Sequence, residues 1–273
     1  MNKRDLMFRL IEGDRDLPYV PAGFFLHFPE PFRRGDAAVA KHIEFFRHTG
    51  MDFVKIQYER PFPRLDGIRR PHDWARVPRY DVDFFAEQLQ VVEGLVEALK
   101  HEAVVIVTLY STYMEARHTT DEATITAHLE QDPEQVQRGL EIINESILLF
   151  ARECIQRGVD GFYHSTQGGE AGRFRDRGLF ERYIKPFDLR VMQEVNTACP
   201  CNVLHVCDYL ASYDDFAPFL DYPGHIVNSP LHVGDKVLTP REAAELFKRP
   251  YMGGLERKGV LASGTPAEIE AAA

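Results

Sequence analysis

Asp52-Phe-Val-Lys-Ile-Gln-Tyr58 and Ala103-Val-Val-Ile-Val-Thr-Leu109, with a helical pattern over 82–101 between them, decide the fold. The two short runs are rich in β-branched and aromatic residues, and the segment joining them carries the apolar period of a helix. A strand, a helix and a second strand in this order imply parallel pairing, because the crossover returns the chain to the same end. Further strand-like runs at 23–28, 159–164, 202–207, 225–229 and 251–255 repeat the unit, with helical patterns at 36–49, 133–157, 179–197 and 240–247. About seven such units, with no GxGxxG after the first, predict an α/β chain folded as a (β/α)8 TIM barrel rather than a dinucleotide-binding sheet. Seven strands leave that barrel one βα unit, roughly 30 residues, short. Residues 1–273 are therefore expected to form a single barrel domain that is C-terminally incomplete.

Helix boundaries are well marked. Asp132-Pro133, Thr239-Pro240 and Thr265-Pro266 each place a capping side chain before a proline at the first helical position. Glu242 and Glu268 complete capping boxes with the two threonines. Gly50, Gly158 and Gly259 fall where a helix or turn is expected to stop.

Composition narrows the function classes. With 44% hydrophobic and 11% aromatic residues the chain has the means to build a core, which excludes intrinsic disorder. No long uncharged apolar stretch marks a membrane span, and the polar start lacks a signal core, so a cytoplasmic protein is expected. A net charge of -10, from 32 basic and 42 acidic residues, disfavours nucleic acid as a partner. Cys154, Cys199, Cys201 and Cys207 are too few and too unevenly spaced for a disulfide framework.

In a barrel of this kind the chemistry sits at the C-terminal ends of the strands. Those ends carry His27, then Lys55, Gln57 and Glu59, then Tyr110 and Tyr113, His164 and Gln167, His205 and Cys207, Asn228, and Glu256. Arginines crowd the same rim: Arg33 and Arg34, then Arg60, Arg64, Arg69, Arg70, Arg76 and Arg79, then Arg173, Arg175 and Arg177. A positive mouth on an acidic body would draw an anionic small-molecule substrate inward. The competing reading is a set of solvated loops pairing with Asp66, Asp73 and Asp176.

His205-Val-Cys207 is the sharpest local signal. Residues i and i+2 on a strand face the same way, so an imidazole and a thiol converge on the barrel mouth, and both are zinc ligands. The competing reading is a buried histidine beside an inert cysteine. Cys199 and Cys201 lie at the other end of the same strand and are expected to be structural. Gln167-Gly-Gly-Glu-Ala-Gly172 lacks the lysine and hydroxyl of a P-loop and reads as a connection or a weak anion-binding loop.

Taken in order, these segments resemble the uroporphyrinogen decarboxylase family, which includes zinc-dependent, corrinoid-linked methyltransferases. The resemblance rests on Gly50-Met-Asp-Phe-Val-Lys55, Thr112-Tyr-Met114, Gly158-Val-Asp-Gly-Phe162, Leu204-His-Val-Cys207, Gly253-Gly-Leu-Glu256 and Gly264-Thr-Pro-Ala-Glu-Ile269. It implies a (β/α)8 barrel. The decarboxylases carry an arginine-rich stretch after the first strand, where this chain has Leu26-His-Phe-Pro-Glu30. They also carry an aspartate after the second strand, where it has Gln57-Tyr-Glu59. Tyr113 matches their active-site tyrosine. The methyltransferase branch binds zinc through H-x-C and a distant C-terminal cysteine, so the resemblance implies zinc on His205 and Cys207 with a third ligand beyond Ala273.

The leading expectation is zinc-dependent methyl transfer between a methyl-corrinoid, free or on a corrinoid protein, and a thiol. Tyr113, His205 and Glu59 are then the candidate catalytic residues, with His27, Lys55, Gln57, Arg60, His164, Gln167 and Asn228 contacting substrate. Two alternatives stand beside it: a metal-free porphyrinogen or polycarboxylate decarboxylase, and a non-catalytic ligand-binding barrel. A homodimer is compatible with each.

Overall fold

The sheet begins where the opening β-α-β unit places it. In a computed structural model that describes residues 2–14, 16–253 and 259–272, β1 (Phe53–Ile56) is followed by α3 (Val82–Leu99) and β2 (Val104–Tyr110). Ahead of them lie α1 (Lys3–Ile11) and α2 (Gly35–Thr49). After β2 come α4 (Thr112–Thr119), α5 (Glu122–Gln131), α6 (Pro133–Gln156), β3 (Gly161–Thr166), α7 (Gly178–Tyr183), α8 (Lys185–Ala198), β4 (Val203–Val206) and β5 (Ile226–Asn228). The chain continues through a short antiparallel hairpin, β6 (His232–Val233) and β7 (Lys236–Val237), into α9 (Pro240–Phe247), α10 (Val260–Ser263) and α11 (Pro266–Ala272).

β1 to β5 pair in sequence order, every pair parallel. Both faces of the sheet are covered, which is why its strands read as unbroken apolar runs. Val54, Ile56, Val105, Val107, Phe162, Leu204 and Val206 pack outward against the helices. Phe53, Val104, Ile106, Tyr163, Val203 and Ile226 face inward and are joined by Met7 of α1. An inner core distinct from the helix-facing one is the (β/α)8-barrel arrangement. Among the described residues its contiguous wall is these five strands. α1 is bound to the strand starts by Arg4, which reaches both carboxylate oxygens of Asp160 at 2.5 and 2.6 Å.

One of the seven expected strands comes out differently, and another falls partly outside the described residues. Residues 23–28 adopt no strand; among the described residues their backbone link to the sheet is the Asp52 N–H donated to Ala22 C=O at 2.8 Å. Phe25 nevertheless packs edge-on against Phe53 and Tyr163, each at 5.6 Å, so its side chain joins the inner core without a ladder. Of the run at 251–255, the described residues 251–253 form one parallel bridge, Val227 with Tyr251; residues 254–258, Glu256 among them, lie outside the described structure. The helix expected over 179–197 is two helices, broken at Ile184 because Pro186 has no N–H to continue the pattern.

Both capping boxes form, Thr239 with Glu242 and Thr265 with Glu268. Asp132 caps α6 by accepting from the Gln135 N–H. Gly50 ends α2 at φ 66°, a left-handed turn that a glycine takes without strain. Gly259 serves as the N-cap of α10, and the segment whose end it was expected to mark lies outside the described residues. α4 and α5, unforeseen in the sequence, start on Ser111 and Asp121, whose side chains accept from Met114 N–H and Thr124 N–H.

Candidate active site

Register builds the site rung by rung. Tyr110 is opposite Ser165, Ser165 opposite His205, and His205 opposite Asn228, so four polar residues cross four neighbouring strands at one level. Same-rung residues in parallel strands share a face: Ser165, His205 and Asn228 take the inner face of Tyr163, while the Tyr110 ring, at the strand end, packs on Tyr58 and His118 beside the helix-facing core. The His205 ring lies 4.8 Å from the Tyr163 ring at an interplanar angle of 32°. Tyr163 in turn donates its hydroxyl to Asn228 Oδ1 at 2.7 Å, and Asn228 Nδ2 donates to Met252 C=O at 2.6 Å.

Cys207 lies just past the end of β4, its N–H donated to Thr166 C=O at 3.1 Å and its carbonyl held by the Tyr213 hydroxyl at 2.8 Å. Its thiol accepts from Gln167 Nε2 at 3.4 Å. Burial pushes the thiol pKa up, against the pull of hydrogen bonds from the Tyr209 backbone, Gln167 and Ser165. Gln167 is fully buried, and among the described residues its Oε1 has no hydrogen-bond partner. All four cysteines are free thiols, and Cys201 lies in the inner core far down the strand from Cys207.

Lys55 and Gln57 continue the inner face on β1 and just beyond it. Lys55 Nζ hydrogen-bonds to Gln57 Oε1 and lies 4.6 Å from the Phe25 ring centroid and 4.7 Å from that of Tyr163. Gln57 Oε1 also accepts from Thr108 Oγ1 at 3.3 Å. Burial brings the Lys55 amine down to about 7, since nothing there solvates an ammonium as water does. Higher on the rim, His27 Nδ1 lies 2.7 Å from Glu59 Oε1, with Arg33 Nε 3.7 Å from the other carboxylate oxygen.

Lys55, Gln57, His205 and Asn228 thus converge on the inner face, and Gln167 joins them through Cys207. Three expected residues stand elsewhere. His164 is on the opposite face of β3, one position out of phase with Tyr163, and is buried with Nε2 3.7 Å from Asp188 Oδ1. Asp188 holds the hydroxyls of Thr166 and Tyr222 there. Arg60 turns to the helix layer, donating to Phe84 C=O at 2.9 Å with its guanidinium 4.4 Å from the Phe84 ring. Tyr113 is wholly buried on α4, bonded to Thr126 Oγ1 at 3.1 Å, and burial raises its pKa to about 12. Gly168 packs against that ring.

The rim arginines are largely committed to carboxylates. Arg64 meets Asp66 and Asp121, Arg76 meets Asp73, Arg175 meets Glu130 and Arg177 meets Asp214. Arg173 is buried between Glu122 and Glu170. The paired-loop reading therefore describes them better than a free cationic ring. Tyr163 is the site residue that sequence reasoning missed; β3 is buried on both faces, so no local signal marks it as the inner one.

Zinc needs at least three protein ligands in a catalytic site. Among the described residues no group of three or more His, Cys, Asp or Glu side chains is placed to hold a metal. His205 and Cys207 are a donor pair of the right chemistry at i and i+2, short of the three protein ligands such a site needs.

The uroporphyrinogen decarboxylase family profile matches residues 47–273. No curated protein matches the chain. Among solved structures, a methyltransferase from Methanosarcina mazei superposes with a TM-score of 0.67 at 12% identity, covering 93% of this chain and 82% of that one. At that identity the likeness is one of fold.

Proposed function

The chain belongs to the uroporphyrinogen decarboxylase family, and we propose that it is a methyltransferase of that family, moving a methyl group from a methyl-corrinoid to a thiol. The observation that carries this reading is the placement of His205 near the end of β4 and Cys207 two residues on, its sulfur held by buried Gln167. A bound zinc supplies one thing to this chemistry: it keeps a coordinated thiol ionised at neutral pH. His205 and Cys207 would be two of its ligands, and the acceptor thiol would take an open position.

The chain's own residues do the positioning. Tyr163 packs at a tilt against the imidazole and limits its plane, and Asn228 fixes Tyr163. Gln167 holds the Cys207 sulfur, and the Thr166 carbonyl holds its backbone. Barrel walls that exclude water strengthen each of these contacts and favour an aligned methyl transfer over side reactions.

The test is incubation of the protein with methylcobalamin and a panel of small thiols, with loss of the methyl-cobalt absorbance and appearance of the S-methyl product by mass spectrometry as readouts. Thioether formation that vanishes in Cys207→Ala supports the reading. Release of carbon dioxide from a porphyrinogen, with no methyl transfer, supports the decarboxylase instead.

A further inference from the structure

Lys55 is a buried amine in an unusual setting. Its side chain is 9% exposed, two aromatic faces flank the nitrogen, and a neutral amide oxygen, Gln57 Oε1, accepts from it. Among the described residues no carboxylate forms an ion pair with it. The acids nearest in sequence are engaged by other groups, Asp52 by the Tyr19 hydroxyl and the Ala22 N–H, and Glu59 by His27 and Arg33. A buried ammonium without a counterion is costly, and buried charges are ordinarily paired. Nothing in the folding of β1 asks for a lysine at an inner-core position between Phe53 and Gln57. The amine is also one ring away from His205, because the Tyr163 ring lies 4.7 Å from Lys55 Nζ and 4.8 Å from the His205 ring.

We infer that Lys55 is the anchor for the carboxylate of a small organic acid bound in the barrel interior beside His205 and Cys207. This deepens the reading of the barrel mouth as a substrate site and assigns the class of molecule: a thiol acid, or another acceptor carrying one carboxylate. A single ammonium between two aromatic faces balances one negative charge in a dry niche, whereas a phosphate dianion would bring more charge than the niche compensates.

The groups facing the amine fix the sign of its pH dependence. From its own strand and the loop after it come Gln57 and Glu59; from residues 22–28 come Phe25 and His27; from α2 comes His42, tied to Ala38 C=O and itself pushed down by burial. β2 contributes Thr108, β3 Tyr163, and His205 stands behind that ring. Of these Glu59 favours the charged amine, and burial opposes it more strongly. A bound carboxylate favours the ammonium, so binding takes up a proton wherever the free amine is neutral.

The experiment is calorimetric titration of the intact protein with propionate, a carboxylate without a thiol, in two buffers of different ionisation enthalpy. The expected result is binding with proton uptake approaching one at about pH 8 and little at about pH 6. Lys55→Met should bind roughly tenfold or more weakly without uptake, Lys55→Arg should keep binding but lose the uptake, and propionamide should not bind. Thermal melts establish that both variants are folded. Equal affinity in Lys55→Met, equal binding of propionamide, or no propionate binding by the unaltered protein would overturn the inference. Since propionate carries no sulfur, the outcome is independent of whether zinc or methyl transfer is found at Cys207.

Discussion

Gln167 donates its side-chain N–H to the sulfur of Cys207 across 3.4 Å, tying the loop after β3 to the end of β4. The two residues come from neighbouring βα loops, and the bond is buried. Replacing Gln167 with Leu removes the donor while keeping most of the volume. The expected cost is about 1 kcal/mol in urea unfolding, with a larger fall in any activity that uses the sulfur. An unchanged activity would show that the sulfur needs no such hold.

Asp160 stabilises the barrel floor. It is 2% exposed, accepts two bonds from Arg4, and takes the Val105 N–H at 2.9 Å. Arg4→Met leaves a buried carboxylate that keeps the Val105 N–H but, among the described residues, has Lys100 at 3.8 Å as its remaining cation. Such a broken pair typically costs about 3–5 kcal/mol, which a urea denaturation curve will read directly.

Gly161 opens β3 where the neighbouring strand comes closest. A Cβ there would lie 1.7 Å from the Cys201 carbonyl oxygen, so β3 and the segment entering β4 would have to separate. Gly161→Ala is expected to prevent accumulation of soluble folded protein. Normal yield and an unaltered melting curve would show that the strands adjust.

Lys55 imposes a stability cost that depends on pH. Its amine titrates near 7 in the folded chain against an ordinary value of 10.5, so between those values the unfolded chain holds more protons and stability rises with pH. Below about 7 the full cost is present; above 10.5 it is gone. Lys55→Met should therefore melt higher than the unaltered protein at about pH 7, by an amount that shrinks as the pH approaches about 10. Thermal melts across that range check the sign.

The features legible in the sequence are those whose signals are local. The capping boxes at Thr239 and Thr265 involve residues three apart, and both form as expected. The β-α-β alternation likewise depends on short-range period, and it locates the five paired strands. His205 and Cys207 share a face because two residues at that spacing on a strand must. The face of β3, in contrast, is not readable. Both sides of that strand are buried, so apolar residues mark neither, and nothing local tells that Tyr163 rather than His164 is the inner residue. Residues 23–28 have strand-like composition, but composition does not supply a ladder partner. The arginine-rich rim reads as a positive mouth until the acids of α5 and the later loops, distant in sequence, are folded against it.

The most direct measurement is the zinc content of the purified protein beside Cys207→Ala and His205→Ala. The expected result is about one zinc per chain in the unaltered protein, lost or greatly weakened in both variants while their folds persist. Zinc absent from all three, or present equally in all three, would contradict a metal-thiol site at the end of β4.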